Sequence, residues 1–272
     1  MVRSLWTGAT GMIAQQLNVD NISNNLANVN TTGYKTEMME FKSLLYQTIQ
    51  TKTTTANGET NKPIGAEVGL GVRNSSIMSI FTQGSFLATE LDTDFAIEGQ
   101  GLFGVQGEDG NTYYTRNGHF VFAIGNEGLT LSTSDGLPVL STEGEPIVLE
   151  DDMVVDKVTI SKTGELFYPD ENDTYQSMGV TIGLWQFNNP SGLDKVGDSL
   201  YQETEASGIA MNEAENEALK RSSLKQGYLE GSNVQIADEM VNLIVAQRAY
   251  EMNSKVITTS DEMMQQANSL KR

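Results

Sequence analysis

Apolar residues recur every seven positions at both ends of the chain. Near the N-terminus they are Leu5, Met12, Val19 and Leu26. Near the C-terminus they are Ile236, Leu243, Tyr250, Ile257 and Met264. A seven-residue apolar repeat is typical of helices that pack against other helices. We therefore predict one long helix at each end and, because the two repeats share one period, pairing of these helices as a coiled coil.

The boundary signals of the two predicted helices differ. Ser232 and Gln235 have the spacing of a capping box, which predicts a helix from Ser232 to Asn268. Gly8 and Gly11 interrupt the N-terminal repeat, and each costs about 1 kcal/mol relative to alanine inside a helix. The N-terminal helix is therefore weak by itself, but its small residues allow a partner to approach closely.

A shorter helix is predicted between the N-terminal helix and the middle of the chain. It would span Glu37–Ile49. The apolar residues on one face of this predicted helix are Phe41, Leu44, Leu45 and Ile49. The polar residues 51–66 that follow are predicted to form a linker or extended loop.

The middle of the chain has the pattern of a β-domain. The predicted strands are Phe95–Ile97, Leu102–Val105, Thr112–Thr115, His119–Phe122, Leu129–Leu131, Val158–Ile160, Leu166–Tyr168 and Val180–Phe187. Turn dipeptides between them are Asp109-Gly110, Asn117-Gly118, Asp135-Gly136 and Pro169-Asp170. This alternation indicates an antiparallel sandwich or barrel-like domain. The predicted fold class is therefore α+β, with long terminal helices and a central, mainly antiparallel β-domain.

The distribution of charge supports the same division of the chain. The 272 residues have a net charge of −19. Four basic and four acidic groups cancel in residues 1–60, and six of each cancel in residues 221–272, so the whole excess lies between them. The predicted domains are a helical assembly domain of residues 1–36 and 226–272, a helix and extended arm over 37–68, and an acidic all-β domain over 69–225.

Composition argues against several functional classes. So acidic a chain lacks the basic surface that nucleic-acid binding requires. The chain has no cysteine and a single histidine, His119, which excludes disulfides, thiolate sites and zinc sites built from several imidazoles. The sequence contains no run of about 18 apolar residues, the length that would predict a membrane-spanning helix.

Two further patterns invite chemical interpretations that their surroundings do not support. Gly99, Gly101 and Gly104 have the spacing of a dinucleotide-binding turn, but that turn must lead into a helix and a hairpin pattern follows here. The acidic clusters do not match a calcium loop and are interpreted as solvated loop charge, with a weak cation site left open. They are Glu90, Asp92 and Asp94; Glu150, Asp151 and Asp152; and Asp170, Glu171 and Asp173. His119 is interpreted as a half-exposed structural histidine, and no catalytic residue, metal site or cofactor is predicted.

An asparagine-rich segment follows the N-terminal repeat. Asn24, Asn25 and Asn28 lie shortly before Gly33. Asparagine competes with helical hydrogen bonds, and glycine adopts positive φ freely. The segment is therefore predicted to end the helix and fix a reversal of the backbone.

Three long motifs resemble the bacterial flagellar rod and hook proteins. NISNNLANVNTTGYK at 21–35 resembles the N-terminal motif of that family, and LEGSNVQIADEMVNLIVAQRAYEMNSKVITTSDEM at 229–263 resembles its C-terminal motif. The segment IEGQGLFGVQGEDGNTYYTRNGHF at 97–120 is most similar to the distal-rod members. The resemblance runs nearly end to end and is weakest over about 125–220.

The resemblance implies a structural subunit of the flagellar basal body and not an enzyme. Its expected partners are further copies of itself in a helical tube, other rod and hook subunits, the flagellar export apparatus and any bushing ring around the rod. The tube would transmit torque from motor to hook. The resemblance assigns assembly contacts to Leu5, Met12, Val19, Leu26, Leu243, Tyr250, Ile257 and Met264. It assigns the backbone turn to Asn24, Asn25, Asn28 and Gly33.

Two alternatives stay open at this point. The chain could be a paralogous rod or hook subunit of the same family. It could instead be a secreted acidic β-domain that binds cations or carbohydrate, in which case the terminal helices would pack on the same chain.

Overall fold

A computed structural model describes residues 2–50, 65–125, 128–149, 157–169, 175–216 and 218–270. Long helices lie at the two ends of the chain, and mainly antiparallel strands lie between them, which confirms the α+β class. The chain divides into two units. The terminal unit contains Met1–Leu26, Glu37–Met78 and Gln235–Arg272, and the β unit contains Ala27–Thr36 and Ser79–Val234. Residues 226–234, which the sequence assigned to the helical domain, thus belong to the β unit.

Both predicted terminal helices are present. Helix α1 spans Val2–Ala27 and helix α2 spans Ile236–Ser269. The predicted capping box is wrong, because α2 begins four residues after Ser232 and its N-cap, Gln235, makes no side-chain capping bond. The Ser232 hydroxyl instead accepts a hydrogen bond from the Val234 N–H. A strand ends at Glu230, so residues 231–235 form the connection between that strand and α2.

The two helices contact each other in antiparallel order within the terminal unit. The hydroxyls of Ser4 and Ser260 lie 3.1 Å apart. A Cβ at Gly8 would lie 3.0 Å from Cγ1 of Ile257, and a Cβ at Gly11 would lie 2.8 Å from Nδ2 of Asn253. The glycines that weaken α1 are therefore positions at which α2 lies close to the α1 backbone.

The predicted helix over Glu37–Ile49 is wrong. Strands β1 (Glu37–Ser43) and β2 (Tyr46–Gln50) occupy this segment, followed by β3 (Ala66–Gly69) and β4 (Val72–Ser79). β1 lies beside β4, and β2 pairs antiparallel with β3. The apolar spacing fits a helical face and a strand alike, and pairing with residues distant in the sequence favours the strands. Most of the predicted linker, residues 51–64, lies outside the described residues.

The remaining strands build the β unit. They are β5 (Phe86–Ala88), β6 (Phe95–Glu98), β7 (Leu102–Gln106), β8 (Thr112–Thr115), β9 (Phe120–Ile124), β10 (Leu129–Thr133), β11 (Val148–Leu149), β12 (Thr159–Ile160), β13 (Glu165–Pro169), β14 (Tyr175–Thr181), β15 (Leu184–Gln186), β16 (Asp194–Gly197), β17 (Leu200–Gln202), β18 (Met211–Asn212), β19 (Ser223–Gln226) and β20 (Tyr228–Glu230). The largest sheet has the order β16-β17-β8-β7-β15-β18. The β unit also contains two three-stranded sheets, β11-β10-β9 and β12-β13-β14, and two strand pairs, β19-β6 and β20-β5.

Two local predictions in the β unit are wrong. The apolar run Val180–Phe187 is divided between two strands of different sheets, β14 and β15, with Ile182 and Gly183 between them. The backbone N–H of that glycine bonds to the Leu140 carbonyl. Pro169 belongs to strand β13 and not to a turn, and Asp170 lies outside the described residues.

Aromatic side chains fill the core of the β unit. Phe103 and Phe120 are fully buried and pack edge to face, with ring centroids 5.0 Å apart, and Phe95 lies beside them. Burying a side chain of this size contributes about 1.5–3 kcal/mol. A second cluster is built around Tyr114 and Trp185. These clusters give the β unit a core of its own.

Candidate assembly interface

The predicted assembly residues are partly covered within the chain. On α1, Leu5, Met12, Val19 and Leu26 are half-buried. On α2, Leu243, Ile257 and Met264 are half-buried and Tyr250 is 42% exposed. Because Ile257 touches α1 at Gly8, this line contributes to the contact between the two helices of one chain.

A larger set of apolar side chains on both helices faces solvent. On α1 these are Trp6, Ile13 and Leu17, and on α2 they are Ile236, Met240, Val241, Ile244, Val245, Met252, Val256 and Met263. Exposed apolar side chains concentrated in this way are typical of surfaces where a partner binds. Sequence reasoning missed these residues because the seven-residue repeat drew attention to a single line. The remaining apolar positions on the same helices were the signal available.

The asparagine segment holds the chain where it leaves α1. The side chain of Asn25 clamps the backbone of Glu37: its Oδ1 accepts from the Glu37 N–H at 2.9 Å, and its Nδ2 donates to the Glu37 carbonyl at 2.8 Å. Asn21 Nδ2 donates to the same carbonyl at 3.1 Å, and Asn25 Nδ2 also lies 3.4 Å from Glu239 Oε2 on α2. An amide side chain thus joins the end of α1, the start of β1 and the start of α2 inside the terminal unit.

The reversal continues in the β unit. Asn28 accepts hydrogen bonds from the backbone N–H and the hydroxyl of Thr31. Gly33 has a φ of +71°, and its N–H donates to the Glu230 carbonyl at 2.8 Å. A Cβ on Gly33 would lie 2.7 Å from the backbone nitrogen of Asn117. Only glycine fits this position without displacing the neighbouring backbone. Asn24, the fourth residue of the predicted turn motif, is exposed.

Three buried charged residues of the β unit form what we call the ionic clasp: Lys35, Arg116 and Glu230. Lys35 Nζ lies 2.7 Å from Glu230 Oε1, and Arg116 Nε lies 2.5 Å from Glu230 Oε2. All three side chains are at least 96% buried. Arg116 also donates to the carbonyls of Ile97, Gly99 and Gly101, and Lys35 donates to the Thr82 carbonyl.

Burial and opposite charge compete in the ionic clasp. Burial alone would raise the pKa of the Glu230 carboxyl. The cations of Arg116 and Lys35, with hydrogen bonds from Lys35 and the Gly84 N–H, hold that pKa below its ordinary value of 4.5. Burial lowers the pKa of Lys35 from its ordinary 10.5, and Glu230 offsets part of that change.

The ionic clasp joins one residue from each of the three motifs. Lys35 ends the motif at 21–35, Arg116 lies in the segment 97–120, and Glu230 opens the motif at 229–263. Sequence reasoning missed the clasp because nothing in a sequence shows that charges this far apart meet. The contact ties the segments that lead into and out of the terminal helices to one point of the β unit.

One member of the acidic clusters is not solvated. Asp94 is 99% buried, and its Oδ1 lies 2.7 Å from Nδ1 of His119, which is 40% exposed. The interpretation as solvated loop charge is therefore wrong for Asp94, because the imidazole supplies a partner that water would otherwise provide. Within the described ranges, His, Asp and Glu side chains form no group that could hold a metal ion. Residues 150–152 and 170–173 of the other acidic clusters lie outside those ranges.

The motif Gly99–Gly104 begins in the turn between β6 and β7 and ends on β7. Gly104 lies inside a strand and leaves room for the Trp185 ring, and no helix follows, so the rejection of a dinucleotide site stands. Neither α1 nor α2 is apolar enough along its length to cross a membrane, and the described residues contain no other long helix.

Comparison with known proteins places these features in one family. Residues 5–35 match the family described as flagella basal body rod protein, and residues 96–168 match the D1 domain of the flagellar hook proteins FlgE/F/G. Residues 225–270 match the C-terminal family of the flagellar basal body rod proteins FlgEFG. The three matched segments contain most of α1, all of α2, the asparagine segment and all three residues of the ionic clasp.

Full-length relatives agree with these matches. The chain is 44% identical to the flagellar basal-body rod protein FlgG of Borreliella burgdorferi over 273 residues, which covers all of both chains. It is 44% identical to FlgG of Agrobacterium fabrum, covering 96% of this chain and 97% of the relative. In Bacillus subtilis it is 39% identical to FlgG and 34% identical to the hook-basal body complex protein FlhP.

The chain belongs to the flagellar basal-body rod protein family. It is a structural subunit of the bacterial flagellar basal body, not an enzyme, and it is most like the distal-rod protein FlgG among the members of that family. Of the two Bacillus subtilis relatives, the chain has the higher identity to FlgG, which argues against a protein of the FlhP type.

Proposed function

We propose that the chain polymerises into a helical tube, as the subunit of the distal rod, and transmits torque from motor to hook. The observation that carries this proposal is the apolar surface on α1 and α2, which the chain itself leaves exposed. Burying apolar area gives a favourable free energy of about 25 cal/mol per Å². Further copies of the same subunit are the partners that would cover it.

In this proposal α1 and α2 of each subunit form a two-helix coiled coil. Leu5, Met12, Val19 and Leu26 face Leu243, Tyr250, Ile257 and Met264 along it, and assembly depends on that line. The contacts of Gly8 with Ile257 and of Gly11 with Asn253 support the pairing. Asn24, Asn25, Asn28 and Gly33 fix the backbone after α1, and residues 37–68 form an extended arm.

Connection between the units supports a mechanical role. The chain passes between the terminal unit and the β unit four times, at 26–27, 36–37, 78–79 and 234–235. Three of these passages, at 26–27, 36–37 and 234–235, lie within a few residues of the ionic clasp or the Asn25 clamp. A load applied to one unit thus reaches the other through several covalent connections held at their ends by buried polar contacts.

The proposed partners follow from the family. The relatives are named as basal-body rod proteins, and membership implies assembly with other rod and hook subunits. We propose that the chain crosses the inner membrane through the flagellar export apparatus and lies in the periplasm or cell-wall space. A bushing ring around the rod is a further proposed neighbour.

The test replaces Leu243 and Ile257 with aspartate in cells in which this chain is the only subunit of its type. We expect no distal rods in isolated basal bodies and no swimming, because two carboxylates would stand in the helix pairing line. The β unit should still fold, since its core is separate. The control pair Thr258→Asp and Gln265→Asp adds the same charge at exposed positions of α2 and should leave rods intact. Normal rods in the first variant would refute the proposal.

A further inference from the structure

Three segments of the β unit lead directly into the terminal unit, at the passages 36–37, 78–79 and 234–235. The side chain of Asn233, in the third segment, hydrogen-bonds to the other two. Its Oδ1 accepts from the Thr36 N–H at 2.7 Å and from the Thr36 hydroxyl at 2.6 Å. Its Nδ2 donates to the Ile80 carbonyl at 2.8 Å and to the Thr82 hydroxyl at 2.8 Å. We call these four residues the junction.

The surroundings of Asn233 determine which side of its amide faces which segment. A backbone N–H can only donate, so the atom beside the Thr36 nitrogen is the amide oxygen. A carbonyl can only accept, so the atom beside the Ile80 carbonyl is the amide nitrogen. The Thr82 carbonyl, at 3.2 Å from the same nitrogen, is a further acceptor. An amide therefore fits the junction, whereas a carboxylate at this position would set an oxygen against the Ile80 carbonyl.

The junction lies closer to the passages than the ionic clasp does. Thr36 is the last residue of its segment, Asn233 is the last but one of its own, and Ile80 is the second residue after its passage. The Ile80 N–H also donates to the Thr36 carbonyl at 2.8 Å. Glu230 of the clasp lies four residues before the end of its segment and is anchored to Arg116. The clasp therefore fixes the segments inside the β unit, and the junction fixes the places where they leave it.

We propose that Asn233 is a positioning residue that makes the three exits of the β unit act as one when a load passes through the subunit. The inference rests on the proposed function and names the side chain on which the sharing of that load depends. Connections held together at their ends share a force, whereas connections that are free to separate take it one after another. Because Asn233 is only half-buried, its loss should release the exits as a local opening and leave the core closed.

Amide hydrogen exchange of the purified subunit, measured residue by residue by NMR, tests the coupling of the exits. In Asn233→Ala the Thr36 N–H loses its acceptor and should exchange about tenfold faster. The decisive amide is that of Ile80, whose N–H does not bond to Asn233 and keeps its own acceptor, the Thr36 carbonyl. We expect this amide also to exchange about tenfold faster, because the segments separate together. Unchanged exchange at Ile80 would overturn the proposal, since Asn233 would then serve Thr36 alone.

Two further variants sharpen this measurement. Asn233→Asp keeps the acceptor for Thr36 but lacks the donor for Ile80, so the Thr36 N–H should stay protected while the Ile80 N–H is released. Asn212→Ala is the matched control, because the Asn212 Nδ2 donates to the Thr142 carbonyl at 2.6 Å, far along the chain from the three passages. It should leave both amides unchanged. A protected Ile80 N–H in Asn233→Asp, or equal acceleration in Asn212→Ala, would contradict the coupling.

The two alanine variants also test the mechanical consequence, in cells in which this chain is the only subunit of its type. Both should form basal bodies in normal number and swim alike in dilute medium. As the viscosity of the medium rises, cells with Asn233→Ala should stop swimming at a viscosity at which cells with Asn212→Ala still swim, because their exits take the load separately.

The remaining outcomes separate this inference from the proposed function. Equal swimming of the two variants at every viscosity would overturn the role of Asn233 under load and leave the proposed function standing. Fewer basal bodies in Asn233→Ala than in Asn212→Ala would overturn it as well, because the residue would then act in folding or assembly. Failure of the unaltered chain to form rods would overturn both.

Discussion

Glu230 faces two cations in a part of the β unit from which water is excluded. Removing a charge from water is unfavourable unless close partners compensate it, and here Lys35 and Arg116 both do. Loss of the carboxylate would leave two buried cations with carbonyl partners only. Replacing Glu230 with glutamine should therefore cost considerable stability with little change in shape.

We predict that Glu230→Gln lowers the free energy of unfolding of the β unit by about 3–5 kcal/mol, the range found when one partner of a buried ion pair is removed. Urea denaturation at neutral pH measures this change. Glu98→Gln is the matched control, because Glu98 pairs with Lys225 at 3.3 Å on the exposed surface. Exposed pairs contribute little, so the control should show no resolvable change. Equal effects of the two variants would contradict the prediction.

The effect of Glu230→Gln should depend on pH. The pKa of Glu230 is lower in the folded state than its ordinary value of 4.5, so its stabilising contribution is present above about pH 4.5 and is lost as the pH falls through the folded-state value. Lys35 has the opposite sign. Because its folded-state pKa is lowered from 10.5, it opposes folding while charged, and this penalty fades as the pH approaches 10.5. The difference between the unaltered chain and the variant should narrow in acid, and a difference that stays constant to pH 3 would exclude this account.

A second prediction at the residue scale concerns Gly33. We expect Gly33→Ala to destabilise the β unit by clearly more than the roughly 1–2 kcal/mol that a left-handed backbone costs an L-residue. The excess arises because the new Cβ would meet the Asn117 backbone. Gly144→Ala separates the two contributions, because Gly144 has a φ of +82° with nothing within 4 Å of the added carbon. Thermal unfolding of both variants measures the excess, and equal losses would show that contact with Asn117 is unimportant.

At the scale of elements, the helix pairing depends on glycines that a helix by itself would avoid. Gly8 and Gly11 weaken α1, yet both are buried and both lie against α2. Intrinsic preference and packing therefore act in opposite directions on α1. The same competition appears in residues 37–50, where a possible helical face is used as two strands instead. In each case a contact with residues distant in the sequence determines the outcome.

We predict that Gly11→Leu separates α1 from α2 although leucine favours a helix by about 1 kcal/mol over glycine. The side chain would meet Asn253, whose Nδ2 would lie 2.8 Å from the first added carbon. Thr7→Leu places the same side chain at an exposed position and serves as the control. Limited proteolysis read by mass spectrometry should show faster cleavage of both helices in Gly11→Leu only. Greater resistance of Gly11→Leu would mean that intrinsic helix preference outweighs packing here.

At the scale of the whole molecule, the net charge and the exposed apolar side chains of the terminal helices lie in different parts of the sequence. The acidic excess belongs to the middle of the chain, where net charge keeps a surface solvated. The two ends have no net charge, and they carry the exposed apolar side chains of α1 and α2. Neutral apolar ends can crowd together without mutual repulsion, which is the property that a polymer built through its terminal helices needs.

The sequence by itself determined the features that depend on local pattern. Periodicity was enough for the two terminal helices, turn dipeptides and short apolar runs were enough for most strands of the β unit, and the three long motifs were enough for the family. Gly33 could be assigned to a reversal because positive φ is a property of the residue itself. Each of these signals is contained in a few neighbouring residues.

Only the tertiary structure decided what depends on residues far apart in the sequence. Residues 37–50 form strands because they pair with residues 66–79. The fold of the β unit brings Lys35, Arg116 and Glu230 into contact. The fold also covered Ile257 and left Met252 in solvent, although the sequence presents both as apolar residues of one helix. Exposure is set by what packs against a side chain. The surfaces available to a neighbouring subunit could therefore be read only after the helices were placed together.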